Sequence, residues 1–237
     1  MSTVPRAFRA STVTRTSRAS RATAVGGAAA ALVASVALSP GASAATARAI
    51  VAPPDRIVIE IATVNGSGCP QGTAAVAVAP DNTAFTVTYS DYLAQVGLGA
   101  EPTDFRKNCQ LNLVVHVPQG FTYAVAGADY RGYAHLEAGA TAVQRASYYF
   151  QGSPDTAVRS HPYKGPYDNN WQATDSTDWG QLVWAPCGVK RNFNINTELR
   201  VNAGTSDPAK TNSFIAMDST DGDIKTVYRL AWKECPA

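Results

Sequence analysis

Apolar residues recur at every second position through most of this chain. Between Arg106 and Val117, Cys109, Leu111, Leu113, Val115 and Val117 share one parity. Gln110, Asn112 and His116 take the other, with only Val114 intruding. A period of two marks a strand with one buried face. Pro118-Gln119-Gly120 then supplies a turn, with Pro suited to its second position and Gly to its fourth. Phe121, Tyr123 and Val125 start a returning strand, so a central hairpin is predicted.

The same alternation is found elsewhere. Ile57, Ile59 and Ile61 form a first strand with Val58, Glu60 and Ala62 on its other face. Thr73 to Ala79 and Ala84 to Tyr89 flank Pro80-Asp81-Asn82-Thr83, a hairpin signal. Ser90 to Gly97 reads as a short helical turn capped by Ser90 or Asp91. Tyr133 to Glu137 and Thr141 to Phe150 read as a further pair around Ala138-Gly139-Ala140. Residues 151–181 hold most of the turn formers and read as a long loop. Phe193, Ile195, Thr197, Leu199 and Val201 alternate with Asn192, Asn194, Asn196, Glu198 and Arg200, and Phe214 to Met217 and Ile224 to Trp232 complete the set. No segment sustains a helical period. The fold class predicted is all-β, an antiparallel β-sandwich of immunoglobulin-like or jelly-roll-like type.

Charge changes the picture at the amino terminus. Arg6, Arg9, Arg15, Arg18 and Arg21 precede an Ala-rich apolar run from Ala24 to Leu38, and Ala42-Ser43-Ala44 comes after it. A basic region, a short apolar region and an Ala-x-Ala site describe a secretory signal over residues 1–44, cut after Ala44. The apolar run is shorter than the roughly 20 residues of a membrane-spanning helix. Of 20 basic and 18 acidic residues, five basic ones belong to the leader, so the mature chain is slightly acidic. It carries no basic cluster beyond Arg106-Lys107 and Lys190-Arg191, which argues against a nucleic-acid partner. No later apolar run spans a bilayer. Residues 45–55 read as a flexible tail, and 56–237 as one β-sandwich domain able to bury about 70% of its unfolded surface.

All four cysteines, Cys69, Cys109, Cys187 and Cys235, fall after the leader. An even count in an exported chain predicts two disulfides, with three possible connectivities. Scattered histidines and the lack of Cys-x-x-Cys argue against zinc. Leu182-Val-Trp184-Ala-Pro-Cys187 and Leu230-Ala-Trp232-Lys-Glu-Cys235 share the pattern Leu-x-Trp-x-x-Cys. Two similar segments lying side by side favour Cys187–Cys235 and leave Cys69–Cys109, each closing a loop worth about 4 kcal/mol on the chain-entropy model. The dense turn Asn65 to Gly72 would be held by the second of these. Its Gly-x-Gly is not a phosphate loop, because the segment from Thr73 onward is strand-like rather than helical.

The landmarks occur in a familiar order: Asn65-Gly-Ser-Gly-Cys-Pro-Gln-Gly-Thr73, Arg106-Lys-Asn-Cys-Gln-Leu111, Pro118-Gln-Gly-Phe-Thr-Tyr123, Asp129-Tyr-Arg-Gly132, Ser147-Tyr-Tyr-Phe-Gln-Gly152, Trp184-Ala-Pro-Cys-Gly188, Asn194-Ile-Asn-Thr-Glu-Leu-Arg200 and Met217-Asp-Ser-Thr-Asp221. With the final Cys235 they resemble the secreted bacterial and fungal proteins grouped as domain of unknown function 4360. The resemblance implies export and a single disulfide-bearing domain. It assigns no activity and no catalytic residues.

Candidate chemistry is sparse. No Gly-x-Ser-x-Gly elbow occurs, and His116, His135 and His161 are spread over the chain. Glu60 and Glu198 both lie opposite an apolar face, and a carbohydrate-active hydrolase using them would need their carboxyls about 5.5 Å apart for retention or about 6.5–9.5 Å for inversion. Tyr163, Tyr167, Trp171 and Trp179 gather in the predicted loop, and with Asn194 and Asn196 they are candidate ligand-binding residues, aromatic faces suiting sugar rings and amides suiting hydroxyls. Asp218, Asp221 and Asp223, with the similar run Asp175 to Asp178, are candidate calcium ligands without EF-hand spacing. Arg106-Lys107 and the Asp129/Arg131 pair are a candidate recognition patch. No cofactor is expected. The function predicted is a secreted, non-catalytic binding or structural domain with an extracellular polysaccharide or protein partner, the alternative being the hydrolase.

Overall fold

A computed structural model describes residues 52–217 and 225–236. The predicted signal segment, residues 45–51 of the predicted tail, and Asp218, Asp221 and Asp223 lie outside the described residues.

The described chain forms twelve strands: β1 (Val58–Asn65), β2 (Ala74–Val78), β3 (Ala84–Tyr89), β4 (Leu93–Gly97), β5 (Arg106–His116), β6 (Phe121–Leu136), β7 (Thr141–Phe150), β8 (Thr156–Lys164), β9 (Tyr167–Ser176), β10 (Phe193–Asn202), β11 (Asn212–Ala216) and β12 (Thr226–Glu234). All pairings are antiparallel. One sheet runs β1-β5-β10-β7-β8, and the other β2-β3-β12-β6-β11-β4, with β9 also paired to β6. β6 is long enough to take β12 along its first half and β11 near its end on one side, with β9 on the other. The fold is the antiparallel β-sandwich that the alternation predicts.

Two predicted hairpins are not hairpins. β5 lies in the first sheet and β6 in the second, so Pro118-Gln119-Gly120 carries the chain across the core. β6 and β7 are likewise in different sheets. Both strands of each pair do bury one face, as their periodicity requires, but against the same core rather than beside each other. Residues 90–97 are also not helical. Tyr92 and Ala94 are fully buried, and β4 pairs with β11. The long loop predicted over 151–181 is mostly β8 and β9. Gly165 makes the corner between them, where a Cβ would stand 1.9 Å from the Glu137 carbonyl oxygen.

The core between the sheets is rich in tyrosine. Leu111, Leu113, Phe150, Phe193, Ile195 and Leu199 come from one sheet; Phe85, Tyr89, Tyr130, Ile215, Tyr228 and Trp232 come from the other. Tyr228 stacks on Phe85 at 4.8 Å and meets the rings of Tyr130 and Tyr148 edge-on. The hydroxyls of Tyr92 and Thr197 share a hydrogen bond of 3.0 Å across the core. Asn82, in the β2–β3 turn, is 2% exposed and has φ of 57°. Its Nδ2 donates to the carbonyls of Pro53 and Asp55, and its Oδ1 accepts from the Ile57 N–H. Residues 53 and 55, expected from sequence to be part of a flexible tail, are therefore tied down.

Both disulfides are formed, Cys69–Cys109 and Cys187–Cys235. The first pins the Gly-rich turn against β5, where Gly68 N–H donates to the Asn108 carbonyl at 2.8 Å. The second ties residues 177–191 to the end of β12. Within that segment, residues 182–185 run beside β6 and extend the second sheet. Trp184 bridges to Ala124, and Ala185 N–H donates to the Tyr123 carbonyl. Val183 and Ala185 pack on the core, and Leu182 and Trp184 lie on the outer side with Ala124 and Ala231.

Candidate functional site

The outer face of the first sheet is built by the polar parity of five strands. β10 presents Asn194, Asn196, Glu198 and Arg200, since Phe193, Ile195, Thr197, Leu199 and Val201 turn into the core. The register sets Gln110, Asn196, Ser147 and Val158 in one cross-strand row, and Asn112, Asn194, Tyr149 and Thr156 in the next. On the other side of the first row, Asn108, Glu198, Arg145 and Ser160 make a third, and beyond it lies the facing pair Arg106 and Arg200. The first row, with Asn108, Glu198, Arg145, Arg106 and Thr156, lines a depression of about 370 Å³, within the range of ligand pockets; Asn112, Asn194 and Tyr149 lie outside it.

The hydrogen bonding of this face is partly internal and partly open. Asn192 Nδ2 donates to Asn112 Oδ1 at 2.6 Å, and Asn112 Nδ2 donates to Asn194 Oδ1 at 2.9 Å, which fixes the orientation of both amides. Asn196 Oδ1, by contrast, is buried with no partner. Gln110 reaches the Tyr149 hydroxyl at only 3.4 Å. The face thus offers amides, hydroxyls and one half-exposed aromatic ring, held by a rigid sheet.

Glu198 is 16% exposed and is held by guanidiniums on both sides: Arg106 bonds one carboxylate oxygen, with Nε at 2.6 Å, and Arg200 Nη2 bonds the other at 2.9 Å. Glu60 is 65% exposed and faces His116 Nε2 at 3.7 Å. The two glutamates share a face but do not meet. Glu60 pairs with Val114 and Glu198 with Asn108, on opposite flanks of β5 and six residues apart along it. That is about 20 Å along the strand, far outside the carboxylate spacing for glycoside hydrolysis.

The aromatic cluster predicted as a ligand platform is divided. Trp171 is 3% exposed and packs on Tyr163 at 5.4 Å, with Tyr167 beyond at 6.2 Å from Tyr163. A buried indole cannot stack on a ligand. The reason lies in β9, where Trp171, Ala173 and Asp175 share the inward parity. Trp179 is exposed but lies apart, edge-on to Trp184 at 4.7 Å, with Lys233 Nζ 4.3 Å from the Trp184 ring. Of the predicted binding residues, only Asn196 lines the depression; Asn194 shares its outward parity but is 4% exposed, with its Oδ1 taken by Asn112. Gln110, Arg145, Ser147 and Tyr149 are the neighbours that sequence reading missed. Gln110 sat on the polar parity of β5, but only strand register puts it beside Asn196.

The remaining candidates have internal roles. Asp175 is 4% exposed and accepts from His161 Nε2 at 2.8 Å and the Tyr148 hydroxyl at 3.3 Å, so it is a core anchor and not a surface cation ligand. The adjoining cavity of about 30 Å³ has room for water but not for a sugar. Asp129 pairs with Arg229 rather than Arg131. His135 Nδ1 lies 3.1 Å from Asp168, which also accepts from the Tyr133 hydroxyl; these hydrogen bonds hold the Asp168 carboxyl below its ordinary range, and the same carboxylate raises Tyr133. Among the described residues no three metal-ligating side chains cluster, and no helix is long and apolar enough to cross a membrane.

Comparison with known proteins gives a family and little more. The family model described as "Domain of unknown function (DUF4360)" matches residues 55–235. A relative from the fungus Arthroderma benhamiae, called "Uncharacterized secreted protein", is 36% identical over 182 residues, covering 77% of this chain and 73% of its own. Among solved structures, TmCBM61 in complex with β-1,4-galactotriose is 10% identical with a TM-score of 0.27, covering 74% of this chain and 91% of that one. The enzymatically active domain of bacteriophage CBA120 tailspike protein 4 is 13% identical with a TM-score of 0.23, covering 73% and 19%. Likenesses this loose say nothing of a ligand.

Proposed function

We propose that this chain, which belongs to the family described as domain of unknown function (DUF4360), is an exported, non-catalytic binding protein that holds an extracellular polysaccharide on the outer face of its first sheet. The observation that carries this is the row Gln110, Asn196 and Ser147 on the floor of a depression of about 370 Å³. Amides and hydroxyls are the groups that exchange hydrogen bonds with sugar hydroxyls, and Asn196 Oδ1 is an acceptor without a partner inside the protein. Tyr149, in the next row and outside the depression, adds a half-exposed ring against which a sugar C–H face can pack. Export rests on the leader read in residues 1–44 and on the fungal relative called secreted.

Depletion of the mature protein from solution by insoluble chitin, cellulose and purified cell walls tests the reading. The wild type is expected to be removed by at least one of them. The double variant Gln110→Ala/Asn196→Ala removes two hydrogen-bonding side chains worth about 1 kcal/mol each, and so should bind at least tenfold more weakly. Retention of the wild type in solution with every polysaccharide overturns the proposal. Depletion that the double variant leaves unchanged moves the site elsewhere.

A further inference from the structure

The open face of the first sheet is basic although the mature chain is not. Arg106 and Arg145 line the depression, with Arg200 next to Arg106, against a single carboxylate, Glu198, the one acidic residue that lines it. Arg106 and Arg200 face each other directly across β5 and β10, an arrangement that like charges oppose. Glu198 relieves it by accepting from both, and Arg145 is not among its partners. Arg145 lies opposite Glu198 on β7, is exposed, and makes no ion pair among the described residues. A guanidinium without a protein partner thus lies beside Ser147 and one row from the partnerless Asn196.

We infer that the polysaccharide held on this face is acidic, and that Arg145 receives the carboxylate of a uronic acid residue while the Gln110–Asn196–Ser147 row takes the hydroxyls. The inference rests on the glycan-binding reading above and names the substrate class of that same site. The planar fork of a guanidinium matches a planar carboxylate with two parallel hydrogen bonds, which a hydroxyl cannot supply. Arg106 and Arg200 share one carboxylate, Glu198, which holds both side chains and leaves that trio one net positive charge, whereas Arg145 has no ion pair, so Arg145 is the group that discriminates. A neutral glycan would leave it unpaired.

The test compares polygalacturonate and alginate with their methyl esters, which keep each sugar chain and remove its charge, using affinity electrophoresis of wild type and Arg145→Ala. Arg145 has no protein partner, so the variant should keep the wild-type melting temperature. The wild type is expected to bind at least one acidic polymer tenfold or more tightly than its ester. Arg145→Ala should erase that preference, and Arg145→Lys should restore it only in part. Poly-glutamate, an anionic polymer without sugar rings, should bind at least tenfold more weakly than the uronan. Equal binding of acid and ester overturns the acidic-ligand inference and leaves the glycan reading standing. No binding to these polymers or to the insoluble panel overturns both. Acid preference that persists in Arg145→Ala, or equal binding of poly-glutamate, overturns the assignment to Arg145 and its carboxylate site.

Discussion

Replacing Asn82 should destabilise the sandwich out of proportion to the size of the side chain. Asn82 is 2% exposed and joins the β2–β3 turn to the strand entry through three hydrogen bonds, to Pro53, Asp55 and Ile57. Its backbone, at φ 57°, is in the left-handed region, which asparagine tolerates better than most residues with a Cβ. Its carbonyl also accepts from Trp232 Nε1 at 2.8 Å, so the turn is fastened to β12 as well. Two variants separate the contributions. Asn82→Gly keeps the backbone conformation and deletes only the side chain. The two bonds donated by Nδ2 contribute about 1 kcal/mol each, and leaving the Ile57 N–H buried and unpaired costs about 1–3 kcal/mol, for a total of roughly 3–5 kcal/mol. Asn82→Ala adds about 1 kcal/mol of left-handed strain.

Urea unfolding followed by tryptophan fluorescence measures both differences. Against a stability of about 5–15 kcal/mol for a domain of ordinary stability, Asn82→Gly removes a large share. Hydrogen exchange gives a local readout: the Ile57 amide should lose protection in Asn82→Gly far more than amides of central β10. If Asn82→Gly costs less than about 1 kcal/mol, the three bonds do not anchor the entry and the reasoning fails.

The core supplies two more expected outcomes. Burial pushes the Tyr89 hydroxyl up to about 12 and raises Tyr92, Tyr148 and Tyr228 well above 10. A raised folded value means that the stabilisation is fully present below the unfolded pKa near 10 and is lost as pH rises through the folded one. The protein should stay folded at pH 10 and unfold cooperatively toward pH 12 and above, with tyrosinate absorbance rising as sheet circular dichroism falls; full tyrosine ionisation near pH 10 with the sheet intact would refute this. Gly132→Ala should cost about 3 kcal/mol by overpacking, because a Cβ there would stand 1.9 Å from the Ala216 oxygen and 2.6 Å from the Trp171 ring. An unchanged melting temperature would show that the ring and strand give way freely.

Periodicity made the buried face of nearly every strand legible, because alternation depends only on which side of a pleat meets the core. It could not say which strands are neighbours. β5 and β6 both carry clean alternation and a turn between them, yet they belong to opposite sheets, since one turn can join strands within a sheet or between sheets. The Leu-x-Trp-x-x-Cys echo pointed to Cys187–Cys235, but its two copies are not structural equivalents: Trp232 is 2% exposed inside the sandwich, while Trp184 lies on the outer side of the second sheet. Asn194, Asn196 and Glu198 were legible as an outward row on one strand. Arg145 and Ser147 were not, because they become neighbours of that row only through the β7–β10 register.

The two disulfides explain why one outer face is open and the other is partly covered. Cys187–Cys235 holds residues 177–191 near the end of β12, where Leu182 and Trp184 lie on Ala124, Ala126 and Ala231. Small side chains on β6 and β12 permit that approach, and the apolar surface they would expose is removed from water. Cys69–Cys109 acts at the margin of the other sheet. It fixes the Gly-rich turn at Asn108, where a Cβ on Gly66 would stand 2.1 Å from the Asn108 carbonyl oxygen. The turn therefore borders the row of Asn108, Glu198 and Arg145 without lying over β10 and β7. A covering segment there would bury Arg145 and the Gln110 amide without partners, which costs more than apolar burial returns. The polar composition of β5, β7 and β10 is thus both what keeps this face uncovered and what makes it suited to a hydroxylated, charged ligand.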